Sequence, residues 1–254
     1  MHKIATLIPI WKRPEVTQLV VEHITWLNWQ LEDIGISLWP FVVHSPEDPD
    51  PYDWTKLDDE PWTILTCSNN PLGKKWNYGV ASAYIKHKEF DSFTILGSDN
   101  LVSSRYITKA VQCLHDGAML VGIGQCIFYD LVTGEAGQVN PSVPFGYGPA
   151  RLYSLELMRQ LQWRLVDNVQ NKKMESVLDR RLLELQKQYQ WQNVVLPLTY
   201  DDQMAGDHVS LVDLKSGTNM NSFTAARRSR KKKGHWTELH GDTVPNLYPH
   251  LKLH

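Results

Sequence analysis

Ile4-Ala5-Thr6-Leu7-Ile8-Pro9-Ile10 is an apolar run of strand length, and Lys12-Arg13-Pro14 ends it before a second pattern begins. From Glu15 to Leu31 the apolar positions Val16, Leu19, Val20, Ile24 and Leu27, with His23 among them, recur at helical spacing. A strand delivered directly into an amphipathic helix is the start of a βαβ unit, and the pattern repeats outward. Ile36 to His44 returns to strand character, with Pro40 marking an edge or a bulge. Glu47 to Glu60 carries seven acids against one lysine and is expected to be a solvated loop. Trp62 to Cys67 is a further strand, Trp76 to Phe90 a helix, and Ser92 to Gly97 a buried strand. Strands alternating with helices predict an α/β fold with a mixed, mainly parallel sheet flanked by helices.

The second half is less regular. Ser104 to His115 predicts a helix, and Ala118 to Tyr129 is apolar and β-rich. Thr133-Gly134-Glu135-Ala136-Gly137 reads as a turn, so a hairpin or meander is expected there rather than another crossover. Leu152 to Leu165 and Met174 to Tyr189 both have helical spacing; in the latter Met174, Val177, Leu178, Leu182, Leu185 and Tyr189 form a core-facing stripe. Arg227-Arg228-Ser229-Arg230-Lys231-Lys232-Lys233 packs six positive charges into seven residues, and removing them from an overall −2 leaves an acidic body of −8. Three segments are expected: a βαβ half over 1–116, a second half of the same domain over 117–226, and a basic C-terminal segment over 227–254.

The 254 residues carry 28 acids against 26 Lys plus Arg, which excludes a bulk polyelectrolyte, and 42% apolar residues suffice for a sizeable core. There is no membrane-length apolar run and no signal-peptide pattern at Met1-His2-Lys3-Ile4, so a cytoplasmic protein is expected. Cys67, Cys113 and Cys126 are odd in number and far apart, which predicts reduced thiols rather than a disulfide framework or a zinc site. Most of the ten tryptophans are expected to pack.

In open α/β sheets ligands bind outside the carboxyl ends of strands. Three such ends carry chemistry: Pro9-Ile10-Trp11-Lys12-Arg13, Ser68-Asn69-Asn70-Pro71-Leu72-Gly73-Lys74-Lys75, and Gly97-Ser98-Asp99-Asn100. Cations, amides and a carboxylate brought to one edge suit a nucleoside diphosphate with Mg²⁺ or Mn²⁺.

These residues carry a resemblance. Ile8-Pro9-Ile10-Trp11-Lys12-Arg13-Pro14-Glu15 resembles the opening strand of family 2 glycosyltransferases of the GT-A fold, and Asn70-Pro71-Leu72-Gly73-Lys74-Lys75-Trp76-Asn77-Tyr78-Gly79 resembles that family's Asn…Gly…Asn-x-Gly segment. Phe93 to Asn100 falls where its metal-binding Asp-x-Asp stands, with Gly97 in place of the first Asp. Coverage is about residues 3 to 110. The resemblance implies a nucleotide-sugar site, with UDP-sugar the expected donor, built from Pro9, Trp11, Arg13, Asn70, Gly73, Lys74, Asn77, Ser98 and Asp99. It also implies a Mn²⁺ or Mg²⁺ ion on Asp99 with a histidine from the C-terminal half, for which His208 is the candidate. The catalytic base is expected at the start of a helix in the second half, Glu175 first and Asp179 one turn later; Gly146, Tyr147 and Gly148 resemble the acceptor-side loop.

The expected function is metal-dependent transfer of a sugar from a nucleotide-sugar to an acceptor hydroxyl. The basic run is a solvated tail, a lid over the diphosphate or a nucleic-acid contact, and the last makes a hydroxymethylated pyrimidine in DNA an acceptor to test. Two alternatives stand beside it. One is a nucleotidyltransferase on a similar sheet, which the lack of glycine after the first strand disfavours; the other is a non-catalytic sugar- or nucleic-acid-binding module, which Gly97 permits.

Overall fold

The computed structural model describes residues 1–57, 61–86, 89–140, 144–167, 174–199, 208–216 and 223–253. In chain order its elements are β1 (His2–Pro9), α1 (Pro14–Glu32), β2 (Ile36–His44), β3 (Thr63–Thr66), α2 (Leu72–Lys86), β4 (Ser92–Ile95), β5 (Asn100–Val102), α3 (Ser104–His115), β6 (Leu120–Ile123) and β7 (Cys126–Asp130). They continue with β8 (Ala136–Val139), β9 (Leu152–Ser154), α4 (Leu155–Gln160), α5 (Met174–Tyr189), β10 (Asn193–Leu196), β11 (Leu211–Lys215), α6 (Phe223–Lys232), β12 (Trp236–Leu239) and α7 (Thr243–Leu247).

The strands form two sheets. The larger runs β10-β6-β9-β4-β1-β2-β3 and is parallel except at β9, which lies antiparallel between β4 and β6. The smaller runs β12-β8-β7-β11-β5, antiparallel except between β7 and β11. Because β12 pairs with β8, the C-terminal segment joins the same sheet as residues of 117–226.

The period of two along the central strands distributes their side chains to both faces. Ile4 and Ile8 of β1 and Leu38 and Val42 of β2 join α1 and α3 in one core; Leu7, Phe41 and Val43 join Val80 of α2, Met158 of α4 and Leu182 of α5 in the other. Burial on both faces explains why β1 is an almost unbroken apolar run.

The expected elements are present with three corrections. The helix expected over Trp76 to Phe90 starts about one turn earlier, at Leu72, and Phe90 lies outside it. Leu152 to Leu165 is not one helix: Leu152–Ser154 is β9, and Ser154 then caps the short α4 by accepting from the Leu157 N–H at 3.1 Å. The β-rich stretch Ala118 to Tyr129 divides into β6 and β7, one in each sheet. Pro40 lies in a strand with neighbours on both sides, but β3 begins only opposite Phe41, so at Pro40 that side of β2 is still an edge. The α5 stripe is buried at Met174, Leu178 and Leu182, whereas Tyr189 is exposed. All three cysteines are free thiols. Among the described residues no helix is long and apolar enough to cross a membrane.

Candidate active site

β1 and β4 are parallel neighbours, so their carboxyl ends open side by side. Lys12 and Arg13 both take left-handed backbone angles, φ +60° and +61°, a region unfavourable for residues with a Cβ. The reversal sets Pro14 as the first residue of α1, where a missing N–H costs nothing. Arg13 then reaches β4: Nη1 donates to Asp99 Oδ2 and Nη2 to Ser98 Oγ, each at 2.9 Å. In the turn after β4 the Gly97 N–H donates to Asn100 Oδ1 at 2.7 Å, and a Cβ on Gly97 would lie 2.5 Å from that oxygen and 2.8 Å from Asp99 Oδ1. A carboxylate at position 97 would therefore require the Asn100 and Asp99 side chains to shift.

β11 brings a second carboxylate. Asp213 and Lys215 share one face of the strand by the period of two, and Asp213 stands in register with Asn100 on β5 and Phe128 on β7. Lys215 Nζ lies 2.6 Å from Asp213 Oδ1 and 4.6 Å from the Phe128 ring centre. Burial pushes the Asp213 carboxyl up, with the Asp99 charge adding, while Lys215 opposes. Burial works against the Lys215 charge too, but Asp213 and Asp99 outweigh it and hold the ammonium above its ordinary value. Asp213 rises chiefly because it is buried, and Lys215 rises because two acids lie near it.

Facing these strands, α5 presents Glu175. A Cβ on Gly148 would stand 2.4 Å from the Glu175 Cδ, so the glycine is what lets the carboxyl lie against the backbone of that loop. The side chain's free surface opens into the cleft, yet enough protein surrounds the carboxyl for burial to raise it above its usual range; Arg151 pulls it back and Asp179 adds to the rise. Arg151 is fully buried, donating from Nη1 to Asp179 Oδ1 at 2.5 Å and from Nη2 to the Gly146 carbonyl at 2.7 Å.

α6 closes the other wall. Ala226, Ser229, Arg230 and Lys233 follow the i, i+3, i+4, i+7 spacing of one helical face continued by one residue, and all four line the cleft. Arg227 and Lys231, four apart, point elsewhere: Arg227 binds Glu135 at 3.0 Å and Glu238 at 2.9 Å, and Lys231 also binds Glu238. The basic run is thus a helix with two differently used faces. The resulting cleft, about 550 Å³, has Pro9, Asp99, Tyr147, Glu175, Asp213 and Arg230 around it.

Of the expected residues, Pro9, Asp99, Tyr147, Gly148 and Glu175 line this cleft, and Arg13 and Ser98 sit directly behind Asp99. Trp11 is half-buried, with the Lys12 and Lys75 ammonium groups 5.8 and 6.0 Å from its ring. Lys74 and Asn70 are at the surface; the buried cation is Lys75, which donates to Ser45 Oγ at 2.8 Å and to the Ile10 carbonyl, and burial lowers it to about 8. Gly73 and Asn77 do not border the cleft. The Asn77 amide serves the chain, donating to Val166 O at 2.7 Å and accepting from the Leu165 N–H at 2.9 Å. Gly146 positions its carbonyl for Arg151, and Asp179 is taken up by the same arginine. Asn171, Lys172, Lys173, Gly206 and Asp207, which flank the expected base and histidine, lie outside the described residues.

His208 does not meet Asp99. Leu214 is the residue whose N–H binds the Asp99 carbonyl, at 2.7 Å, and six residues of extended chain separate it from His208, roughly 20 Å. The His208 ring is buried against Tyr248 instead. Asp213 takes the place expected of it. The signal was in the sequence: Asp213 and Lys215 are polar residues at alternate positions of an otherwise apolar strand.

The donor set does not suit a preformed divalent-ion site. Asp99 and Asp213 are each ion-paired to a cation of the chain, and among the described residues no three His, Cys, Asp or Glu side chains converge as a metal ligand set.

The sheet order, with one antiparallel strand set into a parallel sheet and a smaller sheet beside it, makes the fold mixed α/β and GT-A-like. The structure of S. aureus TarS 1-349 in complex with UDP-GlcNAc matches with a TM-score of 0.50 and 12% identity, covering 85% of this chain and 60% of that one. The 4-diphosphocytidyl-2C-methyl-D-erythritol synthase of Anaerococcus prevotii matches with a TM-score of 0.48 and 11% identity, over 78% of this chain and 88% of that one. At such identities the likeness concerns the fold, and the chain spans 60% of the TarS structure's length. No protein-family model and no curated protein matches the chain.

Proposed function

We propose that the chain transfers a sugar from a nucleotide-sugar, a UDP-sugar in the first instance, to an acceptor hydroxyl. The observation that carries this reading is the meeting of Glu175 with the Asp99 and Asp213 wall across one cleft. The donor would lie over the carboxyl ends of β1 and β4, with its reactive carbon facing Glu175. As the acceptor oxygen forms its bond to that carbon, the bond to the diphosphate breaks and the Glu175 carboxylate takes the hydroxyl proton. Burial raises the Glu175 carboxyl, which brings a carboxylate base nearer to neutral pH. Asp179 is the weaker candidate, because Arg151 already holds it. Tyr147 and Gly148 border the acceptor side. That TarS was crystallised with UDP-GlcNAc supports the donor class.

The orientation of α6 favours a diphosphate over DNA as the partner of the basic run, since Arg230 and Lys233 line the cleft and Arg227 and Lys231 are paired to acids. A hydroxymethylated-DNA acceptor is tested by a gel shift on a variant with Arg227, Arg228, Lys231 and Lys232 all changed to Gln. Lost DNA binding with retained donor hydrolysis would support that acceptor.

The test of the function is Glu175→Gln, which keeps the shape and removes the basicity. Transfer is expected to fall by ~100-fold or more with UDP affinity unchanged, and the acidic limb of kcat/KM to disappear. Full activity would remove Glu175 from the role. Pyrophosphate release from a nucleoside triphosphate, in place of diphosphate release from a nucleotide-sugar, would identify a nucleotidyltransferase; neither reaction would leave a binding module.

A further inference from the structure

The GT-A resemblance implies a divalent ion beneath the donor diphosphate, and the side chains at that position are arranged for something else. Asp99, the single carboxylate of the expected motif, is held by Arg13 at 2.9 Å, and Arg13 is fixed a second time by Ser98 at 2.9 Å. Asp213, the only other acid on that wall among the lining residues, is held by Lys215 at 2.6 Å, and Lys215 is steadied by the Phe128 ring. An ion entering here would have to compete with a cation of the chain at each carboxylate. Opposite stand Arg230 and Lys233, neither of which makes an ion pair to a described acid, on a helical face whose other lining residues are the small Ala225, Ala226 and Ser229. Small residues between cations leave room for a bulky anion against the helix.

We infer that this cleft neutralises the diphosphate of its donor with side-chain cations, Arg230 and Lys233 from α6 and Lys215 from the opposite wall, without a divalent metal ion. Asp99 and Asp213 then serve to hold Arg13 and Lys215, and are not metal ligands. The inference rests on the reading that the cleft takes a nucleoside-diphosphate donor.

The two roles for Asp99 predict opposite signs. A metal ligand is required for binding; a carboxylate beside a bound diphosphate repels it. The experiment is isothermal titration of UDP, CDP and GDP into the full chain in EDTA and again in Mn²⁺, with the parent, Asp99→Asn and Arg230→Gln. Parallel titration of Mn²⁺ alone reads the ion directly. The expected result is binding of at least one diphosphate in EDTA, within about threefold of its affinity in Mn²⁺. Asp99→Asn should bind it equally well or more tightly, and Arg230→Gln about tenfold more weakly, the scale of one charge-assisted hydrogen bond. Binding that requires Mn²⁺, or is lost in Asp99→Asn, overturns the inference and leaves the nucleotide-sugar reading standing. Micromolar uptake of Mn²⁺ by the parent that Asp99→Asn abolishes has the same meaning. If none of the three diphosphates binds in either condition, the nucleotide reading falls and the inference falls with it.

Discussion

The chain around β11 buries titratable side chains in two places, and they are treated in opposite ways. Asp213 and Lys215 stay close to charge because each has the other, and both reach the cleft. His208, which enters the strand from its other end, has neither ring nitrogen hydrogen-bonded to a described residue and lies against Tyr248, whose ring also meets His23 and lies 6.1 Å from His250. His23 in turn places Nδ1 3.1 Å from His250 Nε2 and Nε2 2.8 Å from the Val102 carbonyl. Burial drives His23 to about 3, with the neighbouring His250 charge adding, and both His208 and His250 to about 4. A buried ionisable group keeps its charge only with a counter-charge at hand; without one it remains neutral and becomes packing. One end of the strand is therefore available for chemistry, and the other fastens the C-terminal segment to α1.

The contrast breaks most visibly at Lys215. Lys215→Met leaves Asp213 buried beside Asp99 without its cation, and the expected loss is about 3–5 kcal/mol in urea unfolding, larger at pH 8 than at pH 5 because a protonated Asp213 needs no partner. The double variant Asp213→Leu with Lys215→Met should recover most of it, and a single variant as stable as the parent would mean that the pair compensates nothing.

The histidine end gives the next effect, with the sign reversed in pH. Folded pKa values below the ordinary 6.5 mean that the unfolded chain binds protons first, so stability is complete above about pH 6.5 and falls as the pH drops from there towards 4. From the buried His23 and His208 the loss should be roughly 3 kcal/mol at pH 5.5. Replacing both by Gln should flatten thermal melts across that window; an unchanged slope would show that acidification acts elsewhere.

Gly148→Ala probes the cleft without touching either end of β11. The added methyl meets the mobile end of the Glu175 side chain, so the carboxyl moves while the fold stays. Transfer should drop about tenfold with little change in melting temperature, the usual cost of a misplaced catalytic group. Equal activity would mean that Glu175 need not sit where Gly148 allows it.

The smallest effect is expected at Arg227, whose pairs to Glu135 and Glu238 lie at the surface. Arg227→Gln should leave both the urea midpoint and nucleotide affinity unchanged, whereas Arg230→Gln, three residues on, should weaken binding. Equal behaviour of the two would erase the distinction between the two faces of α6.

Much of the fold was legible locally. The strand Ile36–His44 and the helices Ser104–His115 and Met174–Tyr189 have the bounds that their apolar periods mark, because a strand or helix face is written in nearest-neighbour spacing. Leu152-Tyr153-Ser154 was misread as helix because three residues carry too little period, and only the open edges of β4 and β6 make them a strand. Around the cleft, the positions of Asp99 and Glu175 were legible as polar residues at a strand end and a helix start. His208 was misassigned because sequence proximity to a strand does not say which end of it faces the ligand.

By itself, then, the sequence determined the alternation of elements, the strand end that carries Asp99 and the helix that carries Glu175, since each depends on residues a few positions apart. Tertiary structure alone decided that Asp213 stands beside Asp99, that Lys215 and Arg13 neutralise the two carboxylates, and that Arg230 and Arg227 serve different surfaces. Those outcomes depend on the register of β11 against β5 and β7 and on the rotation of α6 over the cleft. Register and rotation are fixed by burying apolar faces contributed by distant parts of the chain, so no local pattern encodes them.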